Sequence, residues 1–145
     1  MSNSPSEPGD GATPGASPAT PTAIVAGHGD FAAGLVSAVD QITGRGGRLI
    51  PISVYSLGVE GIEALLRAKM METGVRVIFT DLQAGSCTMA SRRILRGLDD
   101  AVLIAGANLP MLLDFVFAED VPPPSAARHA AERGRAAIAV HGAGA

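Results

Sequence analysis

Four short apolar runs, each followed by a segment with helical spacing, constrain the fold of this chain most strongly. The runs cover residues 22–26, 49–54, 75–81 and 101–105. They are short and rich in Val and Ile, which is typical of strands buried on both faces. The segments that follow them predict helices over residues 30–43, 58–72, 87–96 and 108–118. Strands that alternate with helices imply a parallel α/β sheet with right-handed crossovers.

Pro51 indicates where the second strand lies in this sheet. Proline cannot donate a hydrogen bond to a neighbouring strand, so the run 49–54 should lie at an edge. The strand order 2-1-3-4 then follows, in an open, doubly wound sheet with helices on both faces. The helices after strands 1 and 3 leave on opposite sides, and the loops before them part to form a crevice. We therefore expect the functional site at that crevice.

Both ends of the chain differ from its centre. Residues 1–21 contain five of the ten prolines and no Ile, Leu, Val or Phe, which predicts a disordered tail. The folded domain is expected over residues 22–141, and residues 142–145 are expected to be a disordered C terminus. After three consecutive prolines, the sequence predicts a helix over 125–133 and a short last strand over 135–140.

Charge and composition exclude several classes of protein. The net charge of −3 and the pI near 5.5 give no basic surface for nucleic acid. No run of eighteen apolar residues and no secretory signal is present, so membrane insertion is not predicted. The single cysteine, Cys87, cannot form an internal disulfide, which fits a reducing compartment. These features favour a cytoplasmic protein.

His28 is the first candidate for chemistry, because it lies between Gly27 and Gly29 where strand 1 leads into a helix. Asp81 follows strand 3, and the predicted strand order brings these two positions together. A carboxylate that accepts a hydrogen bond from one ring nitrogen fixes the tautomer of the histidine and leaves a lone pair on the other ring nitrogen. That nitrogen could act as a general base, a metal ligand or a nucleophile.

The start of the third helix offers a place for an anion. Gly85 and Ser86 would supply backbone N–H groups at the positive end of the helix dipole. Ser86 and Thr88 would add hydroxyl groups. A phosphoryl group suits these donors, so a histidine that accepts a phosphoryl group is the chemistry that the sequence supports best.

Other candidate residues carry weaker signals. Cys87 has no basic neighbour in the sequence, so a catalytic thiol is not predicted. No second histidine or cysteine lies at a ligand spacing, so neither a metal nor another cofactor is predicted. The segment 27–29 lacks the later glycine and the acidic ribose partner of a nucleotide-binding loop. His129 and His141 are interpreted as solvated residues.

Three segments, in order and with matching spacing, resemble the IIA component of the mannose/fructose/sorbose class of bacterial phosphotransferase systems. They are IVAGHGDFAAGL at 24–35, FTDLQAGSCTMAS at 79–91 and AGANLPMLL at 105–113. The resemblance extends over residues 22–140. The third segment is most similar to members associated with amino sugars.

This resemblance implies a four-stranded parallel sheet and a homodimer that exchanges a C-terminal strand. It further implies a phosphotransferase in which His28 is transiently phosphorylated, Asp81 orients the histidine and Ser86 helps to hold the phosphoryl group. The implied donor is the phosphocarrier protein HPr. The implied acceptor is a IIB component, which acts with the IIC and IID membrane components in sugar uptake.

The sequence also departs from that family, and other functions compete with transport. Many members have an aromatic residue and a Gly-Gly pair before the serine and Pro-Phe-Asn after it. Here residues 82–85 read LQAG and residues 87–89 read CTM, so the pocket wall and partner surface should differ. One alternative is a regulatory phosphoprotein that carries no sugar flux. The others are a phosphoryl-transfer subunit of dihydroxyacetone kinase and a flavodoxin-like binding module without chemistry.

Overall fold

In the computed structural model, which describes residues 20–144, four parallel strands form one sheet, and their order across the sheet, numbered along the chain, is 2-1-3-4. The strands are β1 (Ala23–His28), β2 (Leu49–Val54), β3 (Val77–Thr80) and β4 (Val102–Ala105). This is the predicted strand order, so the predicted fold class is confirmed. Pro51 pairs in register with Val25 of β1, and β2 is an edge strand, as expected for a strand that contains proline.

The described residues also contain five α-helices and one short 3₁₀ helix (Gly46–Arg48), and the last two α-helices follow β4. The helices are α1 (Phe31–Thr43), α2 (Val59–Thr73), α3 (Ser86–Leu95), α4 (Leu109–Phe117) and α5 (Pro123–Ala136). The first two end at Gly44 and Gly74, whose φ angles of 72° and 80° lie in the left-handed region. Glycine adopts this conformation at little cost, which explains why both helices end there.

Consecutive residues of the central strands point to opposite faces of the sheet and build two cores. On one face, Val25 and Phe79 pack with residues from α1, α4 and α5. On the other face, Ile24 and Ile78 pack with residues from α2 and α3. Each of these four side chains is fully buried. Both faces of β1 and β3 are therefore covered, which explains why residues 23–26 of β1 and 77–79 of β3 are apolar.

The C-terminal region differs from its prediction. Helix α5 continues to Ala136, and residues 137–140 form no strand within the described chain. Gly134 in the last turn of α5 is buried against Met111, and its carbonyl accepts a hydrogen bond from Asn108. These contacts with α4 hold the last turn in helical form. The predicted strand at 135–140 is therefore wrong for the single chain.

The described residues begin near the end of the predicted N-terminal tail. Residues 1–19, which make up nearly all of the predicted tail, lie outside the described residues. No helix in the described part of the chain is long and apolar enough to cross a membrane.

Candidate functional site

His28 is the last residue of β1 and lies at the carboxyl edge of the sheet. Gly29 follows with a φ of 54°, in the left-handed region, and turns the chain towards α1. The Gly29 N–H donates to the Val54 carbonyl of the neighbouring strand at 2.9 Å, which anchors this turn. The His28 side chain is 51% exposed, so a partner can approach the ring.

Asp81 lies directly after β3 and binds His28 through one oxygen. Its Oδ2 accepts hydrogen bonds from His28 Nδ1 at 2.8 Å and from the His28 backbone N–H at 2.9 Å. The Asp81 side chain is only 9% exposed. The structure thus brings together the two residues that the sequence places after adjacent strands.

The environment of Asp81 favours the ionised carboxylate. Burial alone would raise the pKa of Asp81, but the backbone N–H of His28, its ring and its charge outweigh burial and lower that pKa. An ionised carboxylate can only accept hydrogen bonds, so Nδ1 of His28 must be the donor. In the neutral ring, the lone pair that remains for chemistry then lies on Nε2.

Helix α3 begins beside that nitrogen. Ser86 is its first residue, and its Oγ lies 3.2 Å from His28 Nε2. Gly85 precedes it, and a Cβ atom at this position would lie 3.3 Å from His28 Cε1. The missing side chain therefore lets the helix start approach the ring closely. The first N–H groups of a helix have no partner inside it, so they are available to an anion here.

Thr88 does not line the crevice, which corrects its prediction as a phosphoryl-binding residue. Its side chain is buried, its hydroxyl donates to the Leu82 carbonyl, and its Oγ1 lies 2.6 Å from Thr80 Oγ1. Two residues along a helix correspond to a rotation of roughly 200°, so Thr88 points away from the face that carries Ser86. Thr88 instead stabilises the loop that carries Asp81 and Leu82.

Cys87 contributes a feature that sequence reasoning missed. It is fully buried, and burial together with the nearby charge of Asp81 raises the pKa of its thiol to about 11. The thiol is therefore protonated at neutral pH. One potential ligand atom from each of His28, Asp81 and Cys87 lies within 4.8 Å of the others. Ligand spacing in the sequence could not reveal this group, because its members belong to three different elements.

A second histidine–aspartate pair lies outside the crevice. His129 Nδ1 of α5 is 2.9 Å from Asp114 Oδ2 of α4, and Arg133 Nε lies 3.7 Å from Asp114 Oδ1. The sequence analysis interpreted His129 as a solvated residue. Its side chain is indeed exposed, but its partner was not expected. His141 is exposed beyond the end of α5.

Exposed apolar side chains occur at the same edge of the sheet as His28. Tyr55 and Leu57 follow β2, Leu82 follows Asp81, and Met89 lies on α3. Tyr55 also donates its hydroxyl hydrogen to Asp30 Oδ1. An apolar surface around a reactive side chain suits contact with another protein.

Comparison with known proteins gives the family of this chain. The family model of the PTS system fructose IIA component matches residues 22–131. This chain therefore belongs to the mannose/fructose IIA family of the sugar phosphotransferase system, and the predicted resemblance is confirmed. No match was found among curated proteins.

Solved structures share the fold at low sequence identity. A mannose/sorbose specific IIA subunit from Enterococcus faecalis superposes with a TM-score of 0.74 at 20% identity, covering 85% of this chain and 96% of that one. A IIA protein associated with the fucose utilization operon of Streptococcus pneumoniae superposes with a TM-score of 0.70 at 18% identity, covering 83% of this chain and 93% of that one. A sigma-54 interaction domain protein from E. faecalis superposes with a TM-score of 0.59 at 14% identity, covering 80% of this chain and 90% of that one.

Proposed function

We propose that His28 accepts a phosphoryl group from HPr and passes it to a IIB component during sugar uptake. The observation that carries this proposal is the continuous set of contacts from Asp81 through His28 to Ser86. It places a carboxylate on one ring nitrogen and the start of a helix on the other. A cytoplasmic location follows from the proposed donor and acceptor.

The geometry favours Nε2 of His28 as the nucleophile. Its lone pair attacks phosphorus, a P–N bond forms, and the bond from phosphorus to the donor breaks with its electrons going to the donor. Positive charge then grows on the His28 ring, and the Asp81 carboxylate on Nδ1 stabilises it. No proton needs to leave the ring, so the transfer is readily reversed.

The start of α3 supplies the second half of the site. The transferred group carries its charge on three equatorial oxygens, and catalysis consists mainly of positioning the group and neutralising that charge. Ser86 can turn its hydroxyl from Nε2 to one of these oxygens. The N–H groups of the first helical turn can bind the others. Gly85 leaves the space that this approach requires.

Labelling with phosphoenolpyruvate, enzyme I and HPr tests the proposal. We expect one acid-labile, base-stable phosphate per chain, because a phosphoramidate forms on histidine. His28→Gln should abolish the label without unfolding the chain. His129→Gln is a matched control, because His129 also has an aspartate 2.9 Å from Nδ1 but lies in the middle of α5, six residues after the first residue of that helix. His141→Gln is the second control, and both should be labelled normally. Full labelling of the His28 variant would overturn the proposal.

A regulatory role is a second candidate function. It is favoured by the similarity to the sigma-54 interaction domain protein, which shows that this fold is not confined to the two IIA proteins described above. In that role a partner would read the phosphorylation state of His28 and no sugar would be carried. Genes for IIB, IIC and IID beside this one would favour transport. If the phosphorylated chain fails to phosphorylate the IIB protein that a neighbouring gene encodes, regulation is favoured instead.

We also propose that the chain forms a homodimer through its C-terminal segment. Strand β4 is an edge strand in the described residues, and Ile138 and Val140 are each 74% exposed. An unpaired edge and an exposed apolar segment can pair with a second copy. Truncation after Ala137 removes the segment but keeps Gly134, which packs on α4. We expect a monomer by sedimentation velocity after truncation, and an intact chain that sediments as a monomer would contradict this proposal.

A further inference from the structure

Three side chains at the crevice are of the types that bind zinc. His28 ends β1, Asp81 lies in the loop after β3, and Cys87 lies in the first turn of α3. One ligand atom from each lies within 4.8 Å of the other two. Zinc takes nitrogen, oxygen and sulfur ligands at about 2.0–2.3 Å, so the ligand atoms of a tetrahedral site are roughly 3.5 Å apart. Side-chain movements of about an ångström would close such a site here.

The second oxygen of Asp81 gives an independent indication of a ligand. Both hydrogen bonds from His28 go to Oδ2, whereas Oδ1 is buried and has no hydrogen-bond partner among the described residues. It lies 3.7 Å from the position of a Cβ atom on Gly85. A buried carboxylate oxygen without a partner is costly, and native structures usually satisfy such atoms. A bound cation would satisfy this one.

We propose that His28, Asp81 and Cys87 form a binding site for a thiophilic divalent metal ion, with Zn²⁺ as the best match. Binding forms a metal–sulfur bond to Cys87, and the thiol proton is released to solvent. Three protein ligands leave a fourth position for water, as in zinc sites that keep an open position. The thiolate favours Zn²⁺ over Mg²⁺ and Ca²⁺, which prefer oxygen ligands.

The metal would exclude the phosphoryl group whichever ring nitrogen it binds. If the metal binds Nε2, it uses the lone pair that attacks phosphorus. If the metal binds Nδ1, the proton of the neutral ring must lie on Nε2. In both cases Nε2 of His28 has no free lone pair. This consequence rests on the proposed function, whereas metal binding itself does not.

The pair His129–Asp114 provides an internal comparison. Its nitrogen–oxygen distance of 2.9 Å is close to the 2.8 Å of His28–Asp81. It has no thiol, because the only cysteine of the chain is Cys87, and it has Arg133 beside the aspartate instead. A positive side chain repels a cation. The second pair should therefore bind no zinc.

Metal titration of the purified, tag-free chain under reducing conditions tests the site without any phosphoryl donor. We expect one Zn²⁺ per chain by calorimetry. With Co²⁺ as the probe, we expect tetrahedral d–d bands and a sulfur-to-cobalt charge-transfer band. Cys87→Ser should lose the charge-transfer band and bind zinc at least about tenfold more weakly, since loss of even an outer-shell partner costs about 10–100-fold. His129→Gln should bind as the wild type does.

Two results would overturn the site. One is the absence of stoichiometric zinc binding to the wild-type chain, and the other is unchanged affinity in a folded Cys87→Ser variant. If that variant fails to fold, the wild-type cobalt spectrum still decides, because Cys87 is the only cysteine that could give the charge-transfer band. A wild-type complex without that band would equally contradict the site.

Competition is measured separately with the phosphoryl-labelling assay. Chains loaded with zinc and freed of excess metal should be labelled at least about tenfold more slowly than zinc-free chains. Addition of a chelator should restore the rate. Zinc treatment of Cys87→Ser should leave that variant at its own zinc-free rate. Equal labelling of loaded and zinc-free wild-type chains would overturn the exclusion, while failure of all labelling would count against the proposed function and not against metal binding.

Discussion

Asp81 Oδ2 accepts two hydrogen bonds from His28, at 2.8 Å from the ring Nδ1 and at 2.9 Å from the backbone N–H. One oxygen therefore fixes both the end of β1 and the rotation of the imidazole ring. The lowered pKa of Asp81 keeps this oxygen negative at neutral pH. We infer that Asp81 orients His28 and stabilises its cationic form, and that it does not itself accept the phosphoryl group.

Asp81→Asn should slow phosphoryl acceptance and leave the fold intact. The substitution keeps the shape of the side chain but removes its charge. Hydrogen bonds to charged groups contribute about 1.5–3 kcal/mol, so the rate should fall by about 10- to 100-fold. Initial rates of labelling measure this, with circular dichroism as the check on folding. Asp114→Asn removes the same charge beside His129 and should be labelled at the wild-type rate. Equal rates for the two variants would show that Asp81 has no role in the transfer.

Gly85→Ala should also slow labelling, for a steric reason. The backbone angles of Gly85, −85° and 168°, are open to alanine, so only the new Cβ matters. That atom would lie 3.3 Å from both His28 Cε1 and Leu82 Cβ, and the ring would have to move slightly. A misplacement of 1 Å can cost about 100-fold, so we expect roughly a tenfold loss.

Gly58→Ala is the matched control for this substitution. Gly58 likewise comes directly before a helix, and its own backbone angles of −79° and 177° are extended. A Cβ at that position meets no described atom within 4 Å. Labelling of Gly58→Ala should equal that of the wild type. A Gly85→Ala variant that behaves in the same way would contradict the close approach of the helix start to His28.

The fold was predictable wherever a local pattern sets the outcome. Pro51 identified an edge strand, and the apolar runs identified four strands that alternate with helices. The end of α5 was not predictable in this way. Its last turn depends on contacts of Gly134 with Asn108 and Met111, more than twenty residues earlier in the chain. Periodicity contains no information on such contacts.

The candidate site was predictable to the extent that topology determines it. The strand order alone places His28 beside Asp81, and the helix start at Ser86 follows from the loop between β3 and α3. The error at Thr88 was avoidable, because helical geometry turns its side chain away from that of Ser86. The proximity of Cys87 to the pair depends on side-chain packing between α3 and the sheet, which the sequence does not reveal.

Titration of Tyr55 should report on the edge of the crevice. Tyr55 is the only tyrosine, and the chain has no tryptophan, so its ultraviolet absorbance can be followed directly. The hydrogen bond to Asp30, then burial and the charge of Asp30, raise the pKa of Tyr55 above its usual value. The hydrogen bond between Tyr55 and Asp30 therefore contributes its stabilisation at a pH below the ordinary tyrosine pKa. This stabilisation is lost as the pH rises through the raised pKa of Tyr55 in the folded chain. Asp30→Ala should move the titration to lower pH. Superimposable curves for the two proteins would contradict the contact.

Asn108→Ala should destabilise the chain, because Asn108 makes two hydrogen bonds, of which one caps α4 and the other joins α4 to α5. Its Oδ1 accepts from the Met111 N–H at 3.0 Å, and its Nδ2 donates to the Gly134 carbonyl at 3.1 Å. Loss of a helix cap costs about 1 kcal/mol and loss of a further hydrogen bond about 0.5–1.5 kcal/mol. We expect the free energy of unfolding to fall by about 1.5–2.5 kcal/mol in urea titrations.

Two further variants separate the contributions of Asn108. Asn108→Asp keeps the oxygen that caps α4 but loses the donor to Gly134, so its stability should lie between those of the wild type and Asn108→Ala. Asp30→Ala is the control for the cap position, because Asp30 precedes α1 without making a side-chain cap bond in the described structure. Its side chain accepts one hydrogen bond, from the exposed Tyr55, so Asp30→Ala should lower the free energy of unfolding by no more than about 1 kcal/mol, which is less than the loss expected for Asn108→Ala. If Asn108→Ala is as stable as this control, the hydrogen bond from Asn108 to Gly134 does not hold α5 on α4, and the helical last turn of α5 must have another cause.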